Sequence, residues 1–411
     1  MRCEIRHRET CRACGSRNLT QFVCLDDMPF TDEFVAPANA GSEFLAPLRV
    51  YVCSDCLTAQ TLHDVEVADY YRDYHYTVSA SPFAQAFMDR LAANTFEKFG
   101  FGAGDSVVEV GSGDGYQLKC FQKLGARVMG FEPSDQLTRD SRDAGVPTAQ
   151  CLFEASTVDQ IPADMRPVQV VLLTYTFDHL PDPLPFLHAV KSALDPERGI
   201  LLLEVHDLAK IIERRETCLF AHEHSIYLTV LSMQRLLERA GFKLISGDIV
   251  PERQRRGNSL LIAASPKESP REPWNDWDSQ AAKQYDDMAV YQTFQENVDR
   301  GYRHFAEHVR SLGAEGRRAA GYGAGGRGVM TLGAAQLGNG DLSYICDQNP
   351  SFHGLLAPKS HVPVVAPSRL IDDPVDEVIV FSFGYMDEIL RTLAPHVERG
   401  GTVVSMLDLL I

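Results

Sequence analysis

The chain has 411 residues, 45% hydrophobic and 23% charged, which is ordinary globular usage in a length that exceeds one core, so two or three domains are expected. Its 56 Asp and Glu against 39 Lys and Arg leave a formal charge of −17, which repels a phosphate backbone and argues against nucleic acid as partner. No apolar run approaches the roughly 20 residues that span a bilayer, and Arg2, Glu4, Arg6, Arg8 and Glu9 leave no apolar signal core, so a cytoplasmic protein away from membranes is expected.

The first region, residues 1–82, carries two knuckles, Cys11-Arg12-Ala13-Cys14 and Cys53-Ser54-Asp55-Cys56. Ten cysteines are too few for a disulfide scaffold in a chain of this length, whereas two Cys-x-x-Cys pairs supply four thiolates for a closed tetrahedral site. Structural zinc on Cys11, Cys14, Cys53 and Cys56 is expected, with a redox pair or unrelated thiols as the alternatives. Such an ion contributes folding energy to a segment too polar to build much core alone. An aromatic cluster, Tyr70 to Tyr76, closes this region.

Residues 83–265 read as an α/β domain. Phe87, Met88, Leu91 and Phe96 have helical spacing, and the run Ser106–Val110 after them is β-branched and glycine-bounded, as a buried strand is. Further strands are expected at 127–131, 168–173, 199–205, 243–250 and 259–264, with helices between most of them, which implies a doubly wound sheet. After the first strand comes Glu109-Val110-Gly111-Ser112-Gly113-Asp114-Gly115, whose glycines let backbone approach a ligand at a strand-to-helix turn. After the second comes Glu132-Pro133, where an acid can accept both ribose hydroxyls of a nucleoside. The phrase resembles motif I of class I S-adenosylmethionine (SAM) methyltransferases, in which the loop faces the methionine part and the acid holds the ribose. A dinucleotide dehydrogenase is the competing reading.

Residues 266–285 are proline-rich and charged at their start and suit a linker and helix start. A long amphipathic helix is expected over about 277–312. Within 286–411 a second strand and glycine loop, Ala319 to Gly328, and strands near 342–346, 378–381 and 402–406 indicate another Rossmann-like half.

Three clusters could act on a substrate. His179, in Asp178-His179-Leu180-Pro181-Asp182, follows a strand where α/β sheets place their binding crevice. The segment His222-Glu223-His224 suits acid–base work, since imidazole titrates near neutrality, and a metal fragment is its alternative. Tyr74 to Ser81 could offer a phenol donor or pack as core.

In this order the motifs resemble the nucleotide-sugar C-methyltransferases, the zinc-containing SAM-dependent C-3 methyltransferases of 4-keto-deoxysugars, over essentially the whole chain. The resemblance implies an N-terminal zinc-binding module, a central class I SAM methyltransferase domain and a C-terminal Rossmann-like domain. It implies a catalytic group of His224 as base, Glu223, His179 and Tyr76, and SAM contacts from Glu109, Gly111, Ser112, Gly113, Asp114, Gly115, Glu132 and Pro133. Tyr74, Ser79, Ser81 and His222 would touch the sugar, and Gly323, Ala324 and Arg327 the diphosphate. Alanine stands at 80 and 221 where that family often has tyrosine, and Arg327 where it often has lysine. Epimerisation or O-methylation on the same scaffold are the alternative reactions, the partner is a small-molecule nucleotide sugar, and a monomer is expected.

Overall fold

A computed structural model describes residues 5–65, 81–274, 276–277 and 282–410. In the N-terminal region β1 (Ile5–His7) is followed by β2 (Leu19–Met28), β3 (Ala46–Cys53), β4 (Ala59–Thr61) and β5 (His63–Val65), with β1 and β5 paired antiparallel and β2–β3–β4 forming a meander. Alternation along β3 sends Leu48, Val50 and Val52 inward and leaves Arg49 exposed. The inward side chains join Phe22, Val23, Leu25 and Met28 against Phe294, Val298, Phe305, Val329 and Met330 from the C-terminal half. The module thus shares a core with the far end of the chain.

The central region contains β6 (Ser106–Val110), β7 (Arg127–Phe131), β8 (Thr148–Ala149), β9 (Val170–Thr174), β10 (Ile200–Val205), β11 (Ile226–Tyr227), β12 (Phe242–Ser246) and β13 (Leu260–Pro266). Seven of these form one sheet in the order β12-β13-β10-β9-β6-β7-β8, parallel except for β13. This is the class I SAM methyltransferase fold, an α/β sheet covered on both faces, and β6 and β10 are buried at every residue as that requires. The helix Pro82–Phe99 precedes β6, opened by Ser81, whose Oγ accepts from the Ala84 amide, and closed by Gly100 at φ 70°. Strand β11 leaves this sheet and pairs with β4, Ile226 opposite Gln60 and Tyr227 opposite Ala59.

The C-terminal sheet, β14 (Ala319–Tyr322), β15 (Ile345–Cys346), β16 (Val364–Val365), β17 (Glu377–Val380) and β18 (Thr402–Ser405), is all parallel in the order β16-β15-β14-β17-β18. The continuous helix expected over 277–312 is not found. A short helix at Met288–Gln292 precedes a separate one at Phe294–Ala314, and Thr293 caps the second helix. The strand expected to run to 250 ends at Ser246, because Gly247 turns to donate its amide to Asp276 at 2.9 Å. No helix among the described residues is long and apolar enough to cross a membrane.

Candidate active site

The four knuckle cysteines converge, with Sγ–Sγ distances of 3.6 Å for Cys11–Cys56 and for Cys14–Cys53. A zinc ion with bonds of about 2.3 Å has a tetrahedral edge of about 3.8 Å, so the thiols already stand at the spacing the ion needs. Gln60 Nε2 donates to Cys11 Sγ at 3.1 Å, the kind of outer bond that orients a ligand.

Within the first knuckle Arg12 does more than space the cysteines. Its fully buried guanidinium donates to the carbonyls of Thr61, His63 and Pro181 and pairs with Asp64 at 2.5 Å. Arg8 bridges Asp64 and Asp182, each at 2.6 Å. Two arginines of the zinc region therefore clamp the Pro181-Asp182 loop that carries His179, a role that cysteine spacing alone did not reveal.

In the cradle after β6, Gly111 has φ 69° and Gly113 φ 53°, and Glu132 accepts the amides of Gly113 and Ser134 at 2.9 Å each. Each carboxylate oxygen keeps a further lone pair, which suits a vicinal diol. Burial raises the Glu132 pKa, opposed by those two amides. Glu109 Oε2 and Ser112 Oγ are buried without a partner, and burial followed by the Asp114 charge raises Glu109 far above the ordinary carboxyl value. Orphaned polar atoms around an open backbone turn fit a polar nucleoside-bearing ligand. Asp114 accepts the Tyr116 amide, and Pro133 continues the chain toward the capping Ser134. A groove lined by Asp114, Tyr116, Gln136 and Leu137 runs beside the cradle.

A Cβ on Gly111 would stand 2.4 Å from Thr176 Oγ1 on the loop after β9, and at a φ that L residues rarely adopt. Gly111→Ala is therefore expected to push that loop and the cradle apart. Isothermal titration should show SAM binding weakened by about 5- to 150-fold, given strain of order 1–3 kcal/mol. An unchanged affinity would contradict the close approach.

The same loop leads from Thr176 to Asp178 and His179, and here the sheet gathers a cluster of imidazoles. His179 and His224 lie edge to face with centroids 4.5 Å apart, and His206 lies 5.2 Å from His224. His224 Nδ1 donates to the Leu219 carbonyl at 2.9 Å. Glu223 accepts the Thr31 hydroxyl through Oε1 and keeps Oε2 buried without a partner. Both ring nitrogens of His222 are engaged by the N-terminal region: Nε2–H donates to the Met28 carbonyl at 3.0 Å and Nδ1 meets His63 at 3.1 Å. A small cavity is lined by His63, Asp64, His179, His222 and Glu223. Asp178 and His206 were not singled out from sequence, and their bond of 2.8 Å joins the ends of neighbouring strands. A buried Glu204 paired with Arg256 and Ser259 adds a second unforeseen polar group nearby.

Burial, with help from His222, pushes His63 down to about 3, and burial with His224 pushes His179 down to about 4. Between the ordinary value of 6.5 and these values the unfolded chain binds more protons, so stability is complete above 6.5 and falls as pH drops toward 4. The unfolding free energy from urea titrations should fall over that window with a slope of up to about 1.4 kcal/mol per pH unit for each group, shallower in His179→Gln. A flat profile would contradict the neutral buried imidazoles.

From the C-terminal half, Gly323 at φ 95° and Ala324 follow β14, and Ala324 donates its amide to Asp347 at 2.7 Å. A Cβ on Gly326 would touch Thr31, so this loop abuts the residue that holds Glu223. Arg327 lies over the Phe383 ring at 4.9 Å, beside Gly257, with Nε buried and unpartnered. Ser81 sits at the cap described above and within 3.4 Å of Glu388. Tyr74, Tyr76 and Ser79 lie outside the described residues.

Three family models match successive stretches: a zinc binding domain over residues 11–71, a methyltransferase domain over 83–246 and a C-methyltransferase C-terminal domain over 256–407. The chain is 27% identical over 405 residues to the C-methyltransferase NovU of Streptomyces niveus, covering 97% of this chain and 96% of that protein. It is 28% identical over 104 residues to a ubiquinone biosynthesis O-methyltransferase of Actinobacillus pleuropneumoniae, covering 24% of this chain and 44% of that protein. Among solved structures it is similar to the magnesium protoporphyrin IX methyltransferase ChlM of Synechocystis PCC 6803 with bound SAM, at 15% identity, 48% of this chain, 94% of that chain and a TM-score of 0.35.

Proposed function

We propose that this zinc-binding, SAM-dependent methyltransferase methylates a nucleotide-linked 4-keto-deoxysugar at carbon, at C-3, through an enolate. The observation that carries this reading is the contact between Gly111 of the cradle and Thr176, three residues before His179. Thr176 opens the loop that carries His179, which supports bases and hydrogen-bond donors beside the methyl donor, as alkylation of a carbon acid needs and a pure nucleotide-binding scaffold does not.

A ketone acidifies the neighbouring C–H, and a base within reach can then move the proton and leave an enolate. His224 suits that role, because donation of Nδ1–H to Leu219 leaves the Nε2 lone pair facing outward from that bond. Glu223 stabilises the imidazolium that results. His179 donates to the developing oxyanion, joined by Tyr76 through the resemblance alone. Bound SAM supplies an electrophilic methyl group on a sulfonium. Glu132 takes the ribose, with Glu109, Ser112, Asp114, Gly115 and Pro133 around it, and Arg327 with the Gly323-Ala324 turn takes the diphosphate. The domain limits 1–82, 83–265, 266–285 and 286–411 accompany this reading, and one chain carries every group it names, as a monomer requires.

The zinc-loaded protein is to be incubated with SAM and a panel of TDP-, CDP- and GDP-linked 4-keto sugars. The expected product is one methyl group heavier, with S-adenosylhomocysteine formed in equal amount. No mass gain across the panel would refute the proposal, and deuterium entering beside the ketone with SAM unconsumed would identify epimerisation instead.

A further inference from the structure

Two imidazoles in the cluster rest their Nδ1 atoms on different partners. His224 Nδ1–H is donated to a neutral carbonyl, Leu219, while His206 Nδ1 meets the carboxylate of Asp178 at 2.8 Å. Asp178 is 2% exposed. Burial would raise its pKa, but the His206 hydrogen bond and the neighbouring His179, His206 and His224 reverse that and keep it ionised. An ionised Asp178 can only accept, so His206 is the Nδ1–H tautomer, and its Nε2 lone pair has no protein partner among the described residues. The other Asp178 oxygen, Oδ1, is buried without a hydrogen bond and lies 4.0 Å from His179 Nε2.

A proton on His206 is stabilised by the carboxylate its Nδ1–H rests on, because charge-assisted bonds are about twice as strong as neutral ones and low surrounding polarity amplifies the difference. Against this act burial and the charges of His224 and Arg327, while the Tyr175 ring lies 4.8 Å away. Their sum leaves His206 below its ordinary value. It is an empty acceptor at neutral pH.

We propose that His206 is a further catalytic residue, the acceptor to which His224 passes the proton it takes from the substrate carbon, and that Asp178 is its positioning residue. This rests on the enolate reading above. The C–H bond breaks, its electron pair moves to the carbonyl oxygen, and the proton joins Nε2 of His224. That proton then moves to Nε2 of His206, whose ring centroid lies 5.2 Å from that of His224, and leaves to solvent after turnover. His224 returns to neutral and has no proton to hand back, so the enolate persists long enough to be alkylated. Nothing in the composition of the loop signals this, because Asp178 and His206 are 28 residues apart.

The test has two arms on the full, zinc-loaded chain. In the first, 15N histidine spectra are followed as pH falls, without substrate. The expected result is His206 in the Nδ1–H tautomer, with its protonation moved to lower pH in Asp178→Asn. An Nε2–H tautomer, or His206 protonation unmoved in Asp178→Asn, overturns the proposal even if the substrate has been misread. In the second arm, His206→Asn and Asp178→Asn are assayed with a 4-keto nucleotide sugar in heavy water. A fall in kcat on the order of 100-fold is expected with KM little changed, together with less deuterium exchange at the substrate carbon as His224 returns its own proton. Unaltered kcat and exchange in a folded His206→Asn protein overturn it. Failure of the wild-type protein to act on any keto sugar would instead count against the proposed function.

Discussion

Replacing Cys11 with serine should lower bound zinc from one ion per chain to near zero and abolish methyl transfer, although Cys11 lies on an N-terminal loop outside the sheet that carries the cradle. The expected size follows from what the ion fixes. Structural zinc in small modules is worth on the order of 10 kcal/mol or more of folding energy, and this region has little core of its own apart from the face it shares with the C-terminal helices. The consequence reaches the site through named contacts. β4 pairs with β11 just after His224, the Thr61 amide donates to Ser225 at 3.2 Å, and Arg12 grips the Pro181 carbonyl beside His179. Metal analysis together with a methyl-transfer assay checks this. A zinc-free variant that keeps its fold and wild-type kcat would contradict it.

Glu132→Ala should raise the SAM Kd by at least about 100-fold, the loss of two charge-assisted bonds at roughly 1.5–3 kcal/mol each. Part of the effect is on the protein, since the same carboxylate holds the Gly113 and Ser134 amides. Glu132→Gln separates the two contributions, because its amide can still accept one of these bonds. Its SAM affinity should fall between those of the wild type and the alanine variant, and titration calorimetry of the three proteins would show it. Equal affinities in all three would remove Glu132 from the ribose role.

The readable parts of this chain were those set by local pattern. Strands Ser106–Val110 and Arg127–Phe131 match their expected limits because a buried β-branched run between glycines has few other ways to fold. The four thiolates were likewise legible, since the doubled knuckle needs only a closing loop. What escaped the sequence was produced by tertiary contact. Asp178 and His206 meet because β9 and β10 are neighbours, Leu203 opposite Leu173 and Glu204 opposite Thr174, and no spacing rule links them. Arg12 stands between two ligands in sequence with nothing to mark it, and only the packed loop at Pro181 gives it a function. The break before Phe294 was hidden by continuous amphipathic spacing, while Tyr291 and Phe294 turn into one shared core with Phe22. His222 stood in sequence beside two candidate catalytic groups, yet it is bonded to His63 and Met28.

The central claim is that a carbon atom, loosened by an adjacent carbonyl, receives the methyl group in the cleft between the cradle and the imidazole cluster. Its most direct measurement is the NMR spectrum of product made with 13C-methyl SAM and a 4-keto nucleotide sugar. The account predicts a new methyl signal with one-bond carbon–carbon coupling to the ring carbon beside the ketone. A methyl signal coupled only through oxygen, or no labelled sugar at all, would contradict it.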